Sequence, residues 1–192
     1  MLKRITVVIS IGMLLCLALS PGNAFAQYNS SKNPATVGSP VKSMVELGSV
    51  YSSIYDITVT VLETVRGKEA MKLLEKADSK NPAPPKGFEY ILARVRFEMK
   101  ARAVSDKLTF DLGDSPLQWT ALASDLTEYP RVSVTVPAPA LKGTVKPGAS
   151  VEGWLAFAVE TGDSKPVMVF SPDSGGATGR GKTLFFELFK EK

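Results

Sequence analysis

Residues 88–103 read FEYILARVRFEMKARA, and this stretch decides the fold class. From position 91 onward every second residue is apolar, while most of the residues between them are charged. A period of two places successive side chains on opposite faces of a β-strand. We therefore predict a long strand whose buried face carries Ile91, Ala93, Val95, Phe97, Met99 and Ala101, and whose other face carries Tyr90, Leu92, Arg94, Arg96, Glu98, Lys100 and Arg102.

Segments of similar alternation surround this strand. Candidates near residues 45–51 and 55–62 precede it, and others follow at 108–112, 117–121, 132–136, 151–159, 167–170 and 183–189. Residues 66–77 instead place Ala70, Leu73, Leu74 and Ala77 at helical spacing. Many short strands separated by turns are typical of an antiparallel sandwich. We predict an all-β chain, with an immunoglobulin-like antiparallel β-sandwich over residues 44–192 and one short helix inserted between two early strands.

The N-terminus has the features of an export signal. Lys3 and Arg4 precede an uncharged apolar run at residues 5–19, and an Ala-Phe-Ala cleavage pattern ends at Ala26. This run is shorter than the roughly 20 residues that a membrane-spanning helix needs. We predict a signal peptide over residues 1–26 that is cleaved after Ala26, and a flexible polar leader over residues 27–43. The protein is then secreted and extracellular, without a stable membrane span.

The composition excludes much chemistry. The chain contains no histidine, and its single cysteine, Cys16, lies in the predicted signal. The remaining chain therefore lacks the residues for a Ser-His-Asp or Cys-His nucleophile, a thiolate or imidazole metal site, or a disulfide framework. Loss of Lys3 and Arg4 would lower the formal net charge from +4 to +2, which gives no case for nucleic-acid binding. We predict a non-enzymatic protein without a cofactor or metal.

Two parts of the chain resemble a known family. The first is ITVTVLETVRGKEAMKLLEKADSKNPAPPKGFEYILARVRFE, residues 57–98. The second joins VPAPAL at 136–141 to VKPG at 145–148 and EGWLAF at 152–157. Together they resemble a family of exported bacterial domains with a telokin-like, immunoglobulin-type fold and no established activity. The resemblance implies a sandwich fold and export, and it brings no catalytic motif.

One strand face is the candidate binding surface, and we call it the cation face: Arg94, Arg96, Lys100 and Arg102. Alternate residues of a strand lie about 7 Å apart, so these side chains form a ladder that suits an anionic cell-wall polymer. The simpler alternative is a solvated outer face that acidic neighbours on adjacent strands neutralise. A protein partner is the other kind of partner that the sequence leaves open.

Two loop motifs match known sites in part. GATGRGKT at residues 176–183 matches the phosphate-binding P-loop, but a strand candidate follows it where a P-loop needs a helix. Asp106, Asp111, Asp114 and Ser115 are loosely similar to part of a calcium loop and lack its closing glutamate. A glycine-rich connection and ordinary turn chemistry explain both patterns.

Side chains outside these motifs leave alternatives open. Tyr51, Trp119, Tyr129 and Trp154 could offer platforms for sugar rings, although tryptophans are mostly buried. A histidine-independent, glycosidase-like hydrolase could use a carboxylate pair chosen from Glu63, Glu89, Glu98, Glu128, Glu152 and Glu187. A chaperone or inhibitor would instead pair through an exposed edge strand. The function we predict is a secreted, non-enzymatic interaction module that associates with the cell envelope through the cation face.

Overall fold

The computed structural model describes residues 29–113, 117–173 and 179–189. Within these ranges the chain forms ten strands and one helix. In chain order they are β1 Val41–Leu47, β2 Ser53–Arg66, α1 Lys68–Ala77, β3 Phe88–Ala101, β4 Phe110–Leu112, β5 Trp119–Leu122, β6 Gly143–Val145, β7 Ser150–Glu160, β8 Val167–Phe170, β9 Gly179–Gly181 and β10 Leu184–Glu187.

The strands form two main antiparallel sheets. The larger has five strands in the order β7-β3-β2-β1-β9, and the smaller has three in the order β10-β8-β5. Strands β4 and β6 form a separate antiparallel pair. The predicted fold class, an antiparallel β-sandwich with one short helix between two early strands, is confirmed.

The core lies between the sheets and begins with the alternation of β3. Val95, Phe97 and Met99 are fully buried, as the period of two predicts. The Phe97 ring stacks on that of Phe110 at a centroid distance of 5.4 Å, and the Phe170 ring lies edge-on to it at 5.8 Å. Aromatic side chains from both sheets therefore fill the space that β3 faces.

The opposite face of the larger sheet is covered at one end by α1. Ala70 and Leu74 of α1 are fully buried against Tyr90, Leu92 and Ala158. Because this cover exists, the outer face of β3 starts with apolar residues and becomes charged only after Leu92. Of the predicted helical stripe, Ala77 is exposed and contributes nothing to this packing.

A glycine fixes the entry to α1. Gly67 has φ +66°, and a Cβ at this position would lie 2.7 Å from the Oε2 atom of Glu89. Glu89 is itself held by Arg66, whose Nε atom donates to Oε1 at 2.7 Å. A side chain at position 67 would therefore disturb both the backbone and this ion pair.

The predicted strand at residues 132–136 is wrong. The segment contains alternating valines, and Val132, Val134 and Val136 do pack beside the α1 cluster. Its backbone, however, joins no ladder within the described ranges. The valines alternate because one side of this segment is buried against the outer face of the larger sheet. Such burial does not require the segment to pair with another strand.

The segment predicted as a leader, residues 27–43, lies against the domain in its described part. The Ala35 N–H donates to the Phe185 carbonyl, and the Glu187 N–H donates to the Ala35 carbonyl. The Asn29 side chain bonds to both backbone groups of Phe185: its Nδ2 atom donates to the carbonyl, and its Oδ1 atom accepts from the N–H. Asn29 and Ala35 therefore cover the outer edge of β10. β1 begins at Val41, inside the predicted leader.

The predicted signal peptide, with Cys16, lies outside the described residues. Among the residues that the structure describes, no helix has the length and apolar character that crossing a membrane requires.

Candidate functional site: the cation face and a groove between two strand edges

The cation face lies on the outer surface of the larger sheet, where carboxylates from β2 and β7 meet it. Arg94 donates to Glu63 on β2 at 3.2 Å and to Glu152 on β7 at 3.0 Å. Arg96 reaches the same Glu152 at 2.6 Å. Cross-strand register places Arg96 directly opposite Glu152, so the pairing follows from the sheet itself.

The remaining cations lie nearer the β1–β2 hairpin. Arg102 pairs with Asp56 at 2.5 Å. Lys100 is exposed and makes no salt bridge with any residue that the structure describes. With Glu98 between them on β3, the four cations lie among four carboxylates, those of Asp56, Glu63, Glu98 and Glu152, which compensate their charge locally.

The ion pairs also set the ionisation of these carboxylates. The hydrogen bond from Arg96 is the largest influence that holds the pKa of Glu152 below its ordinary value. The hydrogen bond from Arg102 does the same for the pKa of Asp56. Both carboxylates are therefore ionised, and each is paired with an arginine. This geometry favours the neutralised-face alternative, and polymer binding by the cation face stays a prediction.

A second surface feature is a groove between the edges of the two sheets, where β5 faces β7. It is a half-open cavity of about 180 Å³. Three consecutive residues from each strand line it, and strand side chains alternate in direction, so the strand edges themselves form its walls. We call it the edge groove; its lining is Gly113, Trp119, Thr120, Ala121, Tyr129, Pro130, Arg131, Val132, Leu155, Ala156 and Phe157.

The β7 wall of the edge groove has a short unpaired stretch of backbone. The Trp154 N–H donates to the Pro139 carbonyl, and the Leu141 N–H donates to the Trp154 carbonyl. Trp154 therefore directs its backbone groups away from β3. Ala156 lies two residues further along and directs its N–H and C=O the same way, where no described residue bonds to them.

The β5 wall contributes a buried donor without an acceptor. The Trp119 side chain is 7% exposed, and its ring packs on Phe170 with the centroids 4.4 Å apart. Its indole N–H is buried and has no hydrogen-bond partner among the described residues. Such a group costs about 1–3 kcal/mol relative to a satisfied one.

A hydrogen-bond cluster fixes one end of the edge groove. The Tyr129 hydroxyl donates to the Asp163 carboxylate at 2.7 Å, and Ser124 donates its hydroxyl to the same carboxylate at 2.5 Å. Burial, followed by the neighbouring Asp163, raises the pKa of Tyr129 to about 12. Burial favours the neutral form of Asp163, but hydrogen bonds from Ser124, Tyr129 and Lys165 hold its pKa below the ordinary value.

Arg131 supplies the charge at the groove. Its side chain is 45% exposed, and its ion pair with Glu128 is long, at 3.6 Å. Sequence reasoning singled out Trp119 and Tyr129 as aromatics, but Arg131 and Ala156 carried no signal. Their proximity depends on how the chain crosses between sheets, which no local pattern encodes.

Within the described residues, neither loop motif forms the known site that it partly matches. In GATGRGKT, the Gly179–Gly181 portion forms β9, and β10 follows at Leu184, so a strand takes the place of the P-loop helix. The first residues of that motif, together with Asp114 and Ser115, lie outside the described ranges. Asp106 accepts from the Ala103 N–H, Asp111 accepts from the Thr144 hydroxyl, and the described residues contain no cluster of metal-binding type.

The remaining aromatic and acidic candidates are dispersed. Trp119 and Tyr129 are buried, Trp154 is half-buried beside the α1 cluster, and Tyr51 is 88% exposed on the β1–β2 hairpin. Glu63 and Glu152 both bind Arg94 on an outer sheet face. A general acid for glycoside hydrolysis needs a raised pKa, whereas that of Glu152 is lowered.

Comparison with known proteins adds little to this geometry. No family model matches the chain, and no curated protein matches it. A similar solved structure is that of a Bacillus subtilis protein (ycdA) described as a candidate lipoprotein, with 16% identity and a TM-score of 0.46. The match covers 68% of this chain and 36% of that protein, so this chain spans about a third of that protein's length. At this TM-score the likeness says nothing about the function of this chain, and the telokin-like resemblance stays a prediction.

Proposed function

We propose that this chain is exported and acts at the cell envelope or beyond it as a non-enzymatic binding module of the telokin-like, immunoglobulin type, with a protein as its partner. The observation that carries the proposal is the edge groove. It combines apolar walls, to which the buried Trp119 contributes, with an unpaired strand edge at Ala156. Strand edges and apolar clefts of this kind are surfaces that polypeptides recognise.

The charge distribution supports a protein partner over an anionic polymer. A polymer with phosphate or carboxylate repeats binds to a positive surface whose charge is not neutralised by neighbouring carboxylates. The arginines of the cation face are each engaged by a carboxylate, whereas Arg131 at the groove has one long contact. An apolar groove with a single cation suits a short polypeptide segment better than a uniformly charged chain.

The test is co-sedimentation of the secreted, processed protein with envelope fragments of the producing cell. One portion of the fragments is digested with protease and then washed, and each portion is assayed at low and at high sodium chloride. We expect sedimentation that protease treatment removes and that high salt changes little, because apolar contacts and strand pairing are not screened as surface charges are.

The Arg94→Gln/Arg96→Gln double variant is the control for the cation face, and we expect it to sediment like the unmodified protein. Salt-sensitive binding that survives protease and is lost in this variant would contradict the proposal. That result would identify the cation face as the site for an anionic polymer.

A further inference from the structure

The edge groove has dimensions and polar groups that select one kind of polypeptide segment. Building on the proposed function, we propose that the groove receives the C-terminal end of a partner protein. The last side chain of the partner, an aliphatic or aromatic one, fills the cavity. Its terminal carboxylate pairs with Arg131, and its backbone bonds to Ala156.

The first step of the argument is that the free edge is short. On one side of Ala156 the β7 edge is occupied at Trp154, which bonds to Pro139 and Leu141. On the other side Ala158 directs its N–H and C=O outward as Ala156 does but does not line the groove, and beyond it the Glu160 carbonyl accepts from Arg66. A strand that runs through needs several free residues in a row. The end of a chain needs only one free residue to pair with.

The second step concerns the polar groups. A terminal residue presents a carboxylate, which only accepts hydrogen bonds, and an amide N–H, which donates. The groove offers the matching set: the Ala156 carbonyl accepts, and the Ala156 N–H and the half-exposed Arg131 guanidinium donate. Trp119, whose indole N–H lacks an acceptor, lines the same cavity. Because that N–H is itself buried, Trp119 contributes apolar surface to the cavity wall, and the accessible polar groups are those of Ala156 and Arg131.

The third step is size and polarity. A cavity of about 180 Å³ is smaller than the roughly 300–1,000 Å³ of pockets that hold drug-sized molecules. Its apolar walls include Leu155, Phe157 and Val132. One large apolar side chain, rather than a cofactor or an oligosaccharide, fits this space.

The experiment uses short acetylated peptides that end in Gly-Gly-Phe or Gly-Gly-Leu, each with either a free carboxylate or a C-terminal amide. The secreted, processed protein is labelled with ¹⁵N, and the Ala156 amide and Trp119 indole resonances are followed as each peptide is titrated. We expect both resonances to move. The free acids should bind about ten-fold more tightly than the amides, because a charge-assisted hydrogen bond is lost in the amide.

Three variants separate the contacts. Arg131→Gln should remove the preference for the free acid. Arg102→Gln is its matched control, because the Arg102 side chain is also 45% exposed but lies on the cation face, and it should leave the preference intact. Ala156→Pro removes the edge N–H without removing a bond to β3, so it should weaken acids and amides alike.

Several results would overturn the inference. These are equal affinity for acids and amides, resonance changes that cluster away from the groove, or no binding by any of the four peptides at millimolar concentration. Envelope sedimentation that depends on protein, combined with any of these results, would leave the proposed function standing and reject the chain-end inference alone.

Discussion

At the residue scale, Tyr129 shows how one buried hydroxyl links a loop to a turn. Its ring is 7% exposed and lies edge-on to Phe88 at 6.3 Å, while its hydroxyl donates to Asp163. Asp163 follows β7 in the turn before β8, so this hydrogen bond holds the end of the edge groove against the larger sheet. Burial disfavours the ionised phenol, and the Asp163 carboxylate that it would face disfavours it further, so the pKa of Tyr129 is raised.

The raised pKa of Tyr129 predicts a specific loss of stability in alkali. The unfolded phenol ionises near pH 10 and the folded one near pH 12, so the stabilisation is complete below pH 10 and decreases as the pH rises through 12. The loss reaches at most about 2–3 kcal/mol. In Tyr129→Phe we expect a cost of about 1.5–3 kcal/mol at neutral pH and a difference from the unmodified protein that shrinks above pH 10.

Urea unfolding between pH 7 and 12 measures this difference. Tyr51→Phe is the control, because Tyr51 is 88% exposed on the β1–β2 hairpin, and it should follow the unmodified protein at every pH. A difference between Tyr129→Phe and the unmodified protein that stays constant to pH 12 would contradict the assignment.

At the scale of elements, β7 depends on a glycine for its contact with the segment beside it. A Cβ at Gly153 would collide with the backbone of Ala140 and Leu141. Leu141 is buried in the core, and its N–H bonds to Trp154. The segment cannot move outward without losing both contacts, so only a residue without a side chain lets it lie across β7.

We therefore expect Gly153→Ala to lower the free energy of unfolding by about 1–3 kcal/mol, as overpacking against a fixed backbone does. The matched control is Gly162→Ala, because a Cβ at Gly162 meets no atom within 4 Å, and this variant should stay within about 0.5 kcal/mol of the unmodified protein. Urea unfolding at neutral pH measures both variants. Equal stability of the two would show that the segment at Ala140 and Leu141 moves freely.

The elements also show what the sequence could predict. The buried face of β3 and the helix after β2 follow from local periods of 2 and 3.6, and both are present where those periods occur. Residues 132–136 have the same alternation as a strand, but their backbone pairs with no strand in the described part of the chain. The edge groove was not predictable, because Ala156 and Arg131 meet only through the tertiary path of the chain. The pairing of the cation face was predictable as an alternative, since register alone sets Arg96 opposite Glu152.

At the scale of the whole molecule, the apolar side chains form two clusters of unequal size on the two faces of the larger sheet. The inner cluster fills the space between the sheets and includes Phe97, Phe110 and Phe170. The outer cluster is small and joins Ala70 and Leu74 of α1 to Tyr90, Leu92 and Ala158. Strand β3 contributes to both clusters. Helix α1 can detach from the outer cluster while the two sheets stay packed, but if the sheets unfold, α1 has no surface left to pack against.

This asymmetry predicts two levels of hydrogen-exchange protection. Amides of α1 should exchange through a local opening that releases the outer cluster, and amides at the centre of β3 through global unfolding. Phe97→Leu weakens the inner cluster, which stays intact during the local opening, so it should lower the free energy of exchange for β3 and leave that of α1 unchanged. Leu74→Ala weakens a contact that both openings break, so it should lower both, by about 2–5 kcal/mol.

Native-state hydrogen exchange of the two variants, measured in low denaturant, distinguishes this behaviour from a single cooperative unit. Glu75→Ala on the exposed side of α1 is the control, and neither level of protection should change by more than about 0.5 kcal/mol. If Phe97→Leu lowers the protection of α1 and β3 equally, α1 opens only with the whole sandwich, and the outer cluster is then part of the same folding unit as the core.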